Sequence, residues 1–490
     1  MSNDYILAID QGTTSTRAVI FRNGRPLGWA QKPHRQIFPQ AGWVSHDAGE
    51  IFANTSECVK GAAERVGIPL TSLAAIGITN QRETLVLWDA RTGEPVCDAI
   101  VWQCRRSADV CAQMEADGMA ELVRERTGLL IDPYFTATKI KWALDNIPNI
   151  RPLMDQGHLR AGTIDSFLIF RLTNGKRHIT DYTNAARTML FDITKGRWDK
   201  EILSHFGIDD EILPQVVTSS GVVADTEWGI PIAGIAGDQH AALFGQAGIN
   251  PGDAKNTYGT GCFLLKNIGK EPLIKSGKLL TTIAWHINGE TTYALEGSVF
   301  NAGSAVEWLM RELKLAADVS EINEICKNTP TTDGAYFVPA FSGLGAPHWD
   351  MYARGTICGL NLSTGRNHIV RAVMESVAFQ SRDLIDYMNE IAELPLSQLK
   401  VDGGVSKSDF TMQFQADLLG IPVERPSYTE TTALGAGLLA ALGIGLYSGT
   451  EDITQVREVD AVFEPVGYGP EMEERYLFWK KAVSRAGGWL

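Results

Sequence analysis

Apolar residues in this chain come in short runs that stop on glycine, aspartate or threonine, and stretches of helical periodicity separate them. Residues 5–9 read as a buried strand and 17–21 as its hairpin partner, joined through Asp10-Gln11-Gly12-Thr13-Thr14-Ser15-Thr16. Two short strands, 74–79 and 84–88, enclose Asn80-Gln81-Arg82-Glu83. Helices are predicted over 117–127 and 138–146. The run 232–236 is a buried strand stopped by Gly237-Asp238-Gln239, with a helix from 240 to 246. At Ala247-Gly248-Ile249-Asn250-Pro251-Gly252 the pattern breaks and restarts, as expected of a turn or hinge. Strands 253–258 and 262–266 then flank Gly259-Thr260-Gly261, a second hairpin built like the first, which points to an internal duplication. Thr364 is a plausible cap for a helix reaching Met388, with Val370, Val373, Met374, Val377, Leu384 and Tyr387 on one core-facing stripe. Strand 399–401 runs into Asp402-Gly403-Gly404, and 470–486 reads as a surface helix. Alternating strands and helices predict α/β layers, and two such halves would leave a cleft between them.

Length and charge narrow the picture. The 490 residues are enough for two or more domains, and 44% hydrophobic with 21% charged residues is the composition of a globular chain with real cores. Net charge is −14 with no basic run, which argues against nucleic acid and anionic membrane as partners. The longest uncharged apolar stretch, 433–446, is too short to span a bilayer and reads as a buried helix. No charged segment followed by an apolar one opens the chain, and its seven cysteines are scattered without CxxC spacing, so a cytoplasmic setting is expected.

Candidate chemistry concentrates at the strand ends. GxxxxGK[ST] is absent. Gly435-Ala436-Gly437-Leu438-Leu439-Ala440 imitates a dinucleotide fingerprint but follows Thr431-Thr432-Ala433 rather than an apolar strand, so it reads as small residues allowing close helix packing. The histidines lack metal-ligand spacing. Four elements remain: Asp10 to Arg17, Gly237-Asp238-Gln239, Gly259-Thr260-Gly261 and Asp402-Gly403-Gly404. Glycine lets backbone approach phosphate, threonine donates hydrogen bonds, and aspartate holds Mg²⁺ or accepts a proton; phosphoryl transfer needs these types because it is driven by positioning and charge stabilisation. By residue type alone, Asp238 reads equally as a helix N-cap.

This ordered set resembles the FGGY carbohydrate kinases of the actin/Hsp70 ATPase superfamily, nearly end to end. The resemblance is carried by Asp10 to Ser15, Gly77 to Thr84 with its Asn-Gln-Arg-Glu turn, Val101 to Arg106, Asp181 to Ala185, Gly237 to Gln239, Asn256 to Phe263 and Pro339 to Pro347. It implies two RNase H-like domains with a central interdomain cleft, 1–247 binding the polyol and carrying the catalytic base, 248–490 binding the nucleotide. It implies ATP-dependent phosphorylation of glycerol to sn-glycerol 3-phosphate with Mg²⁺, and a homo-oligomer, dimer or tetramer. Asp238 matches the general base and Asp10 the residue that holds Mg²⁺ through water, with Asp238 close to the metal. Arg82, Glu83, Tyr134 and Gln239 match the polyol contacts, and Trp102 and Phe263 the apolar wall behind the carbon chain. Thr13, Thr14, Ser15, Arg17 and Thr260 match the phosphate grip; Gly303, Glu307, Gly404 and Ser408 match the nucleotide side. Glu307 stands where a glutamine often sits and Ser408 where an asparagine often sits. The compact stretch 226–231 implies no fructose 1,6-bisphosphate site, and no regulatory phosphohistidine is expected. Another polyol or sugar kinase of the family, or an actin/Hsp70-like ATPase without kinase activity, are the alternatives.

Overall fold

The computed structural model describes residues 4–274 and 277–490. The first hairpin forms as predicted. Tyr5–Gln11 pairs antiparallel with Ser15–Arg22 and parallel with Leu73–Asn80. Because alternate residues of a strand face opposite sides, Leu7 and Ile9 pack with Cys58 and Val59 of helix Ala48–Val66, while Ala8 packs with Leu434 and Leu438 of helix Thr431–Gly443. Both faces are thus covered, which is why this strand is apolar throughout rather than alternating.

Thirteen strands form one sheet. From one edge the order is Val459–Phe463, Val423–Pro426, Leu399–Asp402, Ala254–Tyr258, Cys262–Gly269, Glu290–Val299, Leu280–Ile287, Ser220–Asp225, Pro231–Gly237, Leu73–Asn80, Tyr5–Gln11, Ser15–Arg22 and Arg25–Pro33. Each half repeats one plan. An antiparallel hairpin begins with Tyr5–Gln11 or Ala254–Tyr258, and two later strands add in parallel beside that first strand; beyond the hairpin the second half differs, with Glu290–Val299 lying between Cys262–Gly269 and Leu280–Ile287. The duplication anticipated from the two hairpins is therefore a duplication of topology. The halves join through the pairing of Ser220 with Ile287.

Helix Thr431–Gly443 belongs to the second half by sequence, yet it lies against the sheet of the first. Its small residues make that possible. A Cβ on Gly435 would stand 1.8 Å from the Ala241 carbonyl oxygen, and one on Gly77 2.0 Å from that of Ala436. The glycine-rich stretch is a packing surface, as expected, and not a dinucleotide loop.

Four local expectations are corrected. The helix expected over 117–127 starts later, as Ala120–Thr127, because Gly118 adopts φ +76° and separates it from a preceding helix, Ala108–Ala116, that the pattern did not predict. The strand expected at 84–88 is Val86–Asp89 and pairs with Leu159–Gly162, outside the main sheet. The long helix is Arg366–Ala392 with Gly365 at its N-cap; Thr364 instead accepts from the Asn361 N–H at 3.0 Å. Asp238 is the first residue of helix Asp238–Gly245, and Gly237 is the N-cap. The surface helix is Pro470–Ala486, as predicted. Among the described residues no helix is long and apolar enough to cross a membrane.

Candidate active site

Register brings the predicted residues level with one another. Asp10 lies opposite Thr79, Gln11 opposite Asn80, and Gly237 opposite Asn80, so the ends of three parallel strands deliver Asp10, the 81–83 turn and Asp238 to one edge of the sheet. Strand carboxyl ends are where open α/β sheets bind ligands.

Asp238 Oδ1 forms an ion pair with Arg82, 3.1 Å from its Nε, and accepts from the Gln239 N–H at 2.7 Å. Gly237 is the N-cap of its helix, so the carboxylate is not used as a cap and stands at the helix N-terminus. Arg82 is buried. Its two terminal nitrogens reach Glu296, and Glu83 Oε1 lies 3.9 Å from its Nε. Arg187, also buried, donates from Nε to Glu83 Oε1 at 2.6 Å and from Nη2 to Glu296 Oε1 at 3.0 Å. Two guanidinium groups and two carboxylates therefore neutralise one another inside the protein. Burial alone would raise Glu296, but Arg187 and Arg82 outweigh it and hold the carboxyl at about 2. For Glu83 burial prevails over the same two cations and its pKa is raised. Burial also lowers the tendency of Arg82 to stay charged, and Glu296 and Glu83 more than restore it.

Around this cluster stand the other polyol-side residues. The Tyr134 ring meets Trp102 edge-on at 5.7 Å and lies 5.7 Å from the Arg187 guanidinium. Burial pushes its phenol well above the ordinary range, so it remains a hydroxyl donor. Trp102 Nε1 donates to Thr13 Oγ1 at 3.0 Å and so ties the apolar wall to the first turn. Gln239 accepts from Lys255 Nζ, which also donates to the Thr257 hydroxyl at 2.9 Å and to the Phe263 carbonyl at 3.2 Å.

The first turn closes through Gly12 N–H to the Ser15 carbonyl at 2.9 Å. Gln36 Nε2 holds the Thr13 carbonyl at 2.9 Å, His34 N–H the Thr14 carbonyl at 3.1 Å, and Gln31 Nε2 the Ser15 hydroxyl at 2.8 Å. Arg17 reaches Gln31 and, across from the second half, Glu430 at 2.6 Å. Asp10 sits between Arg17 and Asp238 in charge. Burial and then the charge of Asp238 raise its carboxyl to about 7 against the pull of Arg17. An ionised Asp10 is thus a cost to the folded state that grows as pH rises toward about 7; below about pH 4 the group is protonated folded and unfolded alike, and the cost vanishes. Asp10→Asn is expected to raise the melting temperature in EDTA at about pH 8, with the gain fading toward about pH 4. An equal gain at both would show that Asp10 is not the source.

The second hairpin builds the facing wall. Gly261 is required there: a Cβ would stand 2.2 Å from the Val299 carbonyl oxygen. The Thr260 carbonyl accepts from Ala302 and Ser304, and Gly303 N–H donates to the Gly259 carbonyl at 3.0 Å. Gly404 follows Gly403, whose φ of +87° and close approach to Tyr258 exclude a side chain. Glu307 is on the first full turn after Gly303 and pairs with Arg311 at 3.0 Å, exposed. Ser408 is buried; its hydroxyl caps helix Asp409–Leu419 and donates to Asn323 at 2.6 Å.

Arg187, Glu296, Lys255 and Lys139 join the site without having been singled out in the sequence. Lys139 donates to the Glu83 carbonyl at 3.1 Å and burial lowers its ammonium to about 7; burial brings Lys255 to about 8 against Asp402 and Asp238. A signal existed for Glu296: a lone carboxylate inside the apolar strand run Tyr293-Ala294-Leu295-Glu296-Gly297 asks for a buried cation.

A sheet whose two halves repeat one topology, with carboxylates at the strand ends and a Gly/Thr turn in the first hairpin of each half, defines a phosphotransferase scaffold. The chain belongs to the FGGY family of carbohydrate kinases: the N-terminal domain model of that family matches residues 5–245 and the C-terminal domain model residues 254–444. It is 52% identical to a glycerol kinase of Symbiobacterium thermophilum, over all of this chain and 99% of that one. It is 52% identical to glycerol kinase 2 of Thermotoga maritima over 99% of each chain. Among solved structures it resembles Plasmodium falciparum glycerol kinase with ADP at TM-score 0.93 and 36% identity, covering 98% of both chains. A Lactobacillus acidophilus xylulose kinase at 23% identity and TM-score 0.88 shares the fold.

Proposed function

We propose that this protein is an ATP-dependent glycerol kinase forming sn-glycerol 3-phosphate. The observation that carries the reading is the pairing of Arg82 with Asp238 at 3.1 Å beside the Glu83–Arg187 pair, a fixed donor and acceptor next to a carboxylate. Identity near 52% along the whole length of relatives named glycerol kinase supports it. Arg82 donates to one hydroxyl of the polyol and Glu83 accepts from another, with Tyr134 and Gln239 as further contacts and Trp102 and Phe263 behind the carbon chain. Asp238 accepts the proton of the attacking hydroxyl. The new bond is from that oxygen to the terminal phosphorus; the bond to the bridging oxygen breaks, and ADP leaves with the electron pair.

Thr13, Thr14, Ser15, Arg17 and Thr260 hold phosphate oxygens, and Gly303, Glu307, Gly404 and Ser408 take the nucleoside side. The charge of Asp238 adds to the cost of ionising Asp10, and among the described residues no group of three His, Cys, Asp or Glu could hold a metal alone. That fits Mg²⁺, which binds through one or two carboxylates plus water and substrate phosphates. Such an ion, brought with ATP, would neutralise phosphate charge. We take 1–247 and 248–490 as the two lobes, a division supported by the gap between the two family models. We also place the enzyme in the cytoplasm as a homo-oligomer, without fructose 1,6-bisphosphate or phosphohistidine control. The expected 248–252 hinge is a turn tied by Asn267 to the Gly248 and Ile249 carbonyls, so we assign lobe closure to bending around it rather than within it.

A coupled ADP-release assay tests the reading. Release is expected to depend on glycerol and to favour it over erythritol, xylulose, ribulose and dihydroxyacetone. Equal release with and without glycerol would leave only an ATPase, and preference for a sugar would make it another kinase of the family.

A further inference from the structure

The polyol end of the cleft rests on two residues behind the expected contacts. Glu296 comes from the second half of the chain, on strand Glu290–Val299, and is fully buried. It receives both terminal nitrogens of Arg82 and, at 3.0 Å, Nη2 of Arg187. Arg187 is equally buried and turns its Nε to Glu83 Oε1 at 2.6 Å. We infer that Glu296 and Arg187 are positioning residues for substrate selection, fixing the guanidinium plane of Arg82 and the carboxylate of Glu83 so that one donor and one acceptor meet the polyol at a single spacing.

The geometry explains why both are needed. A guanidinium carries five N–H groups in a rigid fork. Glu296 takes one hydrogen from each terminal nitrogen of Arg82, and Asp238 lies at its Nε, which leaves the second hydrogens of the terminal nitrogens for a ligand. Without Glu296, the terminal nitrogens of Arg82 lose their acceptor and are free to turn to the neighbouring Glu83, already 3.9 Å from Nε, so that donor and acceptor satisfy each other instead of the substrate. Arg187 prevents the same collapse from the other side. It occupies Glu83 Oε1, and among the described residues Oε2 has no hydrogen-bond partner. Glu83 itself stands at φ +60°, with its carbonyl held by Thr136 and Lys139 at 3.1 Å each, so its backbone is pinned while Arg187 sets the side chain. Because Glu296 belongs to the second half, polyol selection is a property of both halves of the sheet.

A site with a fixed donor and acceptor rejects an analogue lacking the matching hydroxyl, since the buried polar groups are then left unpaired. Loosening the pair weakens that rejection. The inference rests on the glycerol kinase reading, and one experiment separates the two. In the full-length enzyme, kcat and KM are measured for glycerol, propane-1,3-diol and ATP in wild type and Glu296→Gln. The variant is expected to raise the KM for glycerol by about tenfold or more, to leave the KM for ATP unmoved, and to shrink the preference for glycerol over the diol by about tenfold. Glu296→Asp, which keeps the charge, is expected to recover part of that preference. A merely structural role would lower the active fraction, cutting kcat for both alcohols alike with the preference unchanged, and that result overturns the inference. If Glu296→Gln does not fold, Arg187→Lys decides: it keeps the charge but loses the fork, and an unchanged preference again overturns the inference. Wild type that ignores glycerol sinks the assignment of substrate, whereas turnover with an unmoved preference in the variants sinks only this proposal.

Discussion

Asp238→Asn is expected to cut kcat for glycerol phosphorylation by about 10²–10⁴-fold with little change in the KM for either substrate. The amide keeps an oxygen for the Gln239 N–H, now at 2.7 Å, so the start of its helix should survive. What is lost is the ability to take a proton. The size of the fall discriminates between roles. Phosphoryl transfer passes through a loose transition state in which the hydroxyl is still largely protonated, so a group that only orients it contributes near the lower bound. A loss near the upper bound would mean that the proton moves with bond formation. Steady-state ADP release, with melting curves to establish folding, provides the measurement; a variant retaining wild-type kcat would remove Asp238 from the chemistry.

The features legible in the sequence were those encoded within a few consecutive residues. The hairpin around Asp10, the helix after Gly237, the Gly259-Thr260-Gly261 turn and helix Pro470–Ala486 each announce themselves by local periodicity and breakers. Gly118 shows the limit of that approach: a single left-handed residue near the start of the helical pattern moved the expected helix to Ala120–Thr127 and closed off an unpredicted one before it. The strand at Val86–Asp89 was found, but its partner at Leu159–Gly162 lies about seventy residues on, and nothing local specifies that pairing. Site residues divide in the same way. Arg82 and Glu83 stand in a turn and Asp238 opens a helix directly after a strand, places where a charged residue invites a functional reading, since strand ends are where ligands bind. Glu296 and Lys255 sit inside strands and Arg187 in the turn after helix Tyr182–Ala185, and the partners of all three come from distant segments. Their significance depends on the fold that buries them together, and it becomes readable only when the strand order is known.

That same convergence makes Arg82→Ala the most disruptive single change in the site. Burying a cation is tolerable only when its partners are in place, and here Glu296, Glu83 and Asp238 all depend on it. Removing Arg82 leaves Arg187 as the remaining guanidinium between Glu83 and Glu296, two buried carboxylates with one cation. Breaking a buried pair in this way costs about 3–5 kcal/mol, because the surviving charge loses its compensation. Gly237, whose Cβ position would lie 2.7 Å from Arg82 Cγ, packs directly on the side chain that is deleted, so the loss is one of volume as well as charge. Arg82→Ala is therefore expected to lower the melting temperature measurably without ligand and, in whatever fraction folds, to raise the KM for glycerol far more than that for ATP. Denaturant titration and steady-state kinetics provide the two readouts. A drop in stability with glycerol affinity intact would confine Arg82 to the core and hand polyol recognition to Glu83, Tyr134 and Gln239 alone. Glycerol binding lost at undiminished stability would instead mean that Glu83 and Glu296 shed their charge by taking up protons once the cation is gone, and that the cluster is held together by shape more than by charge.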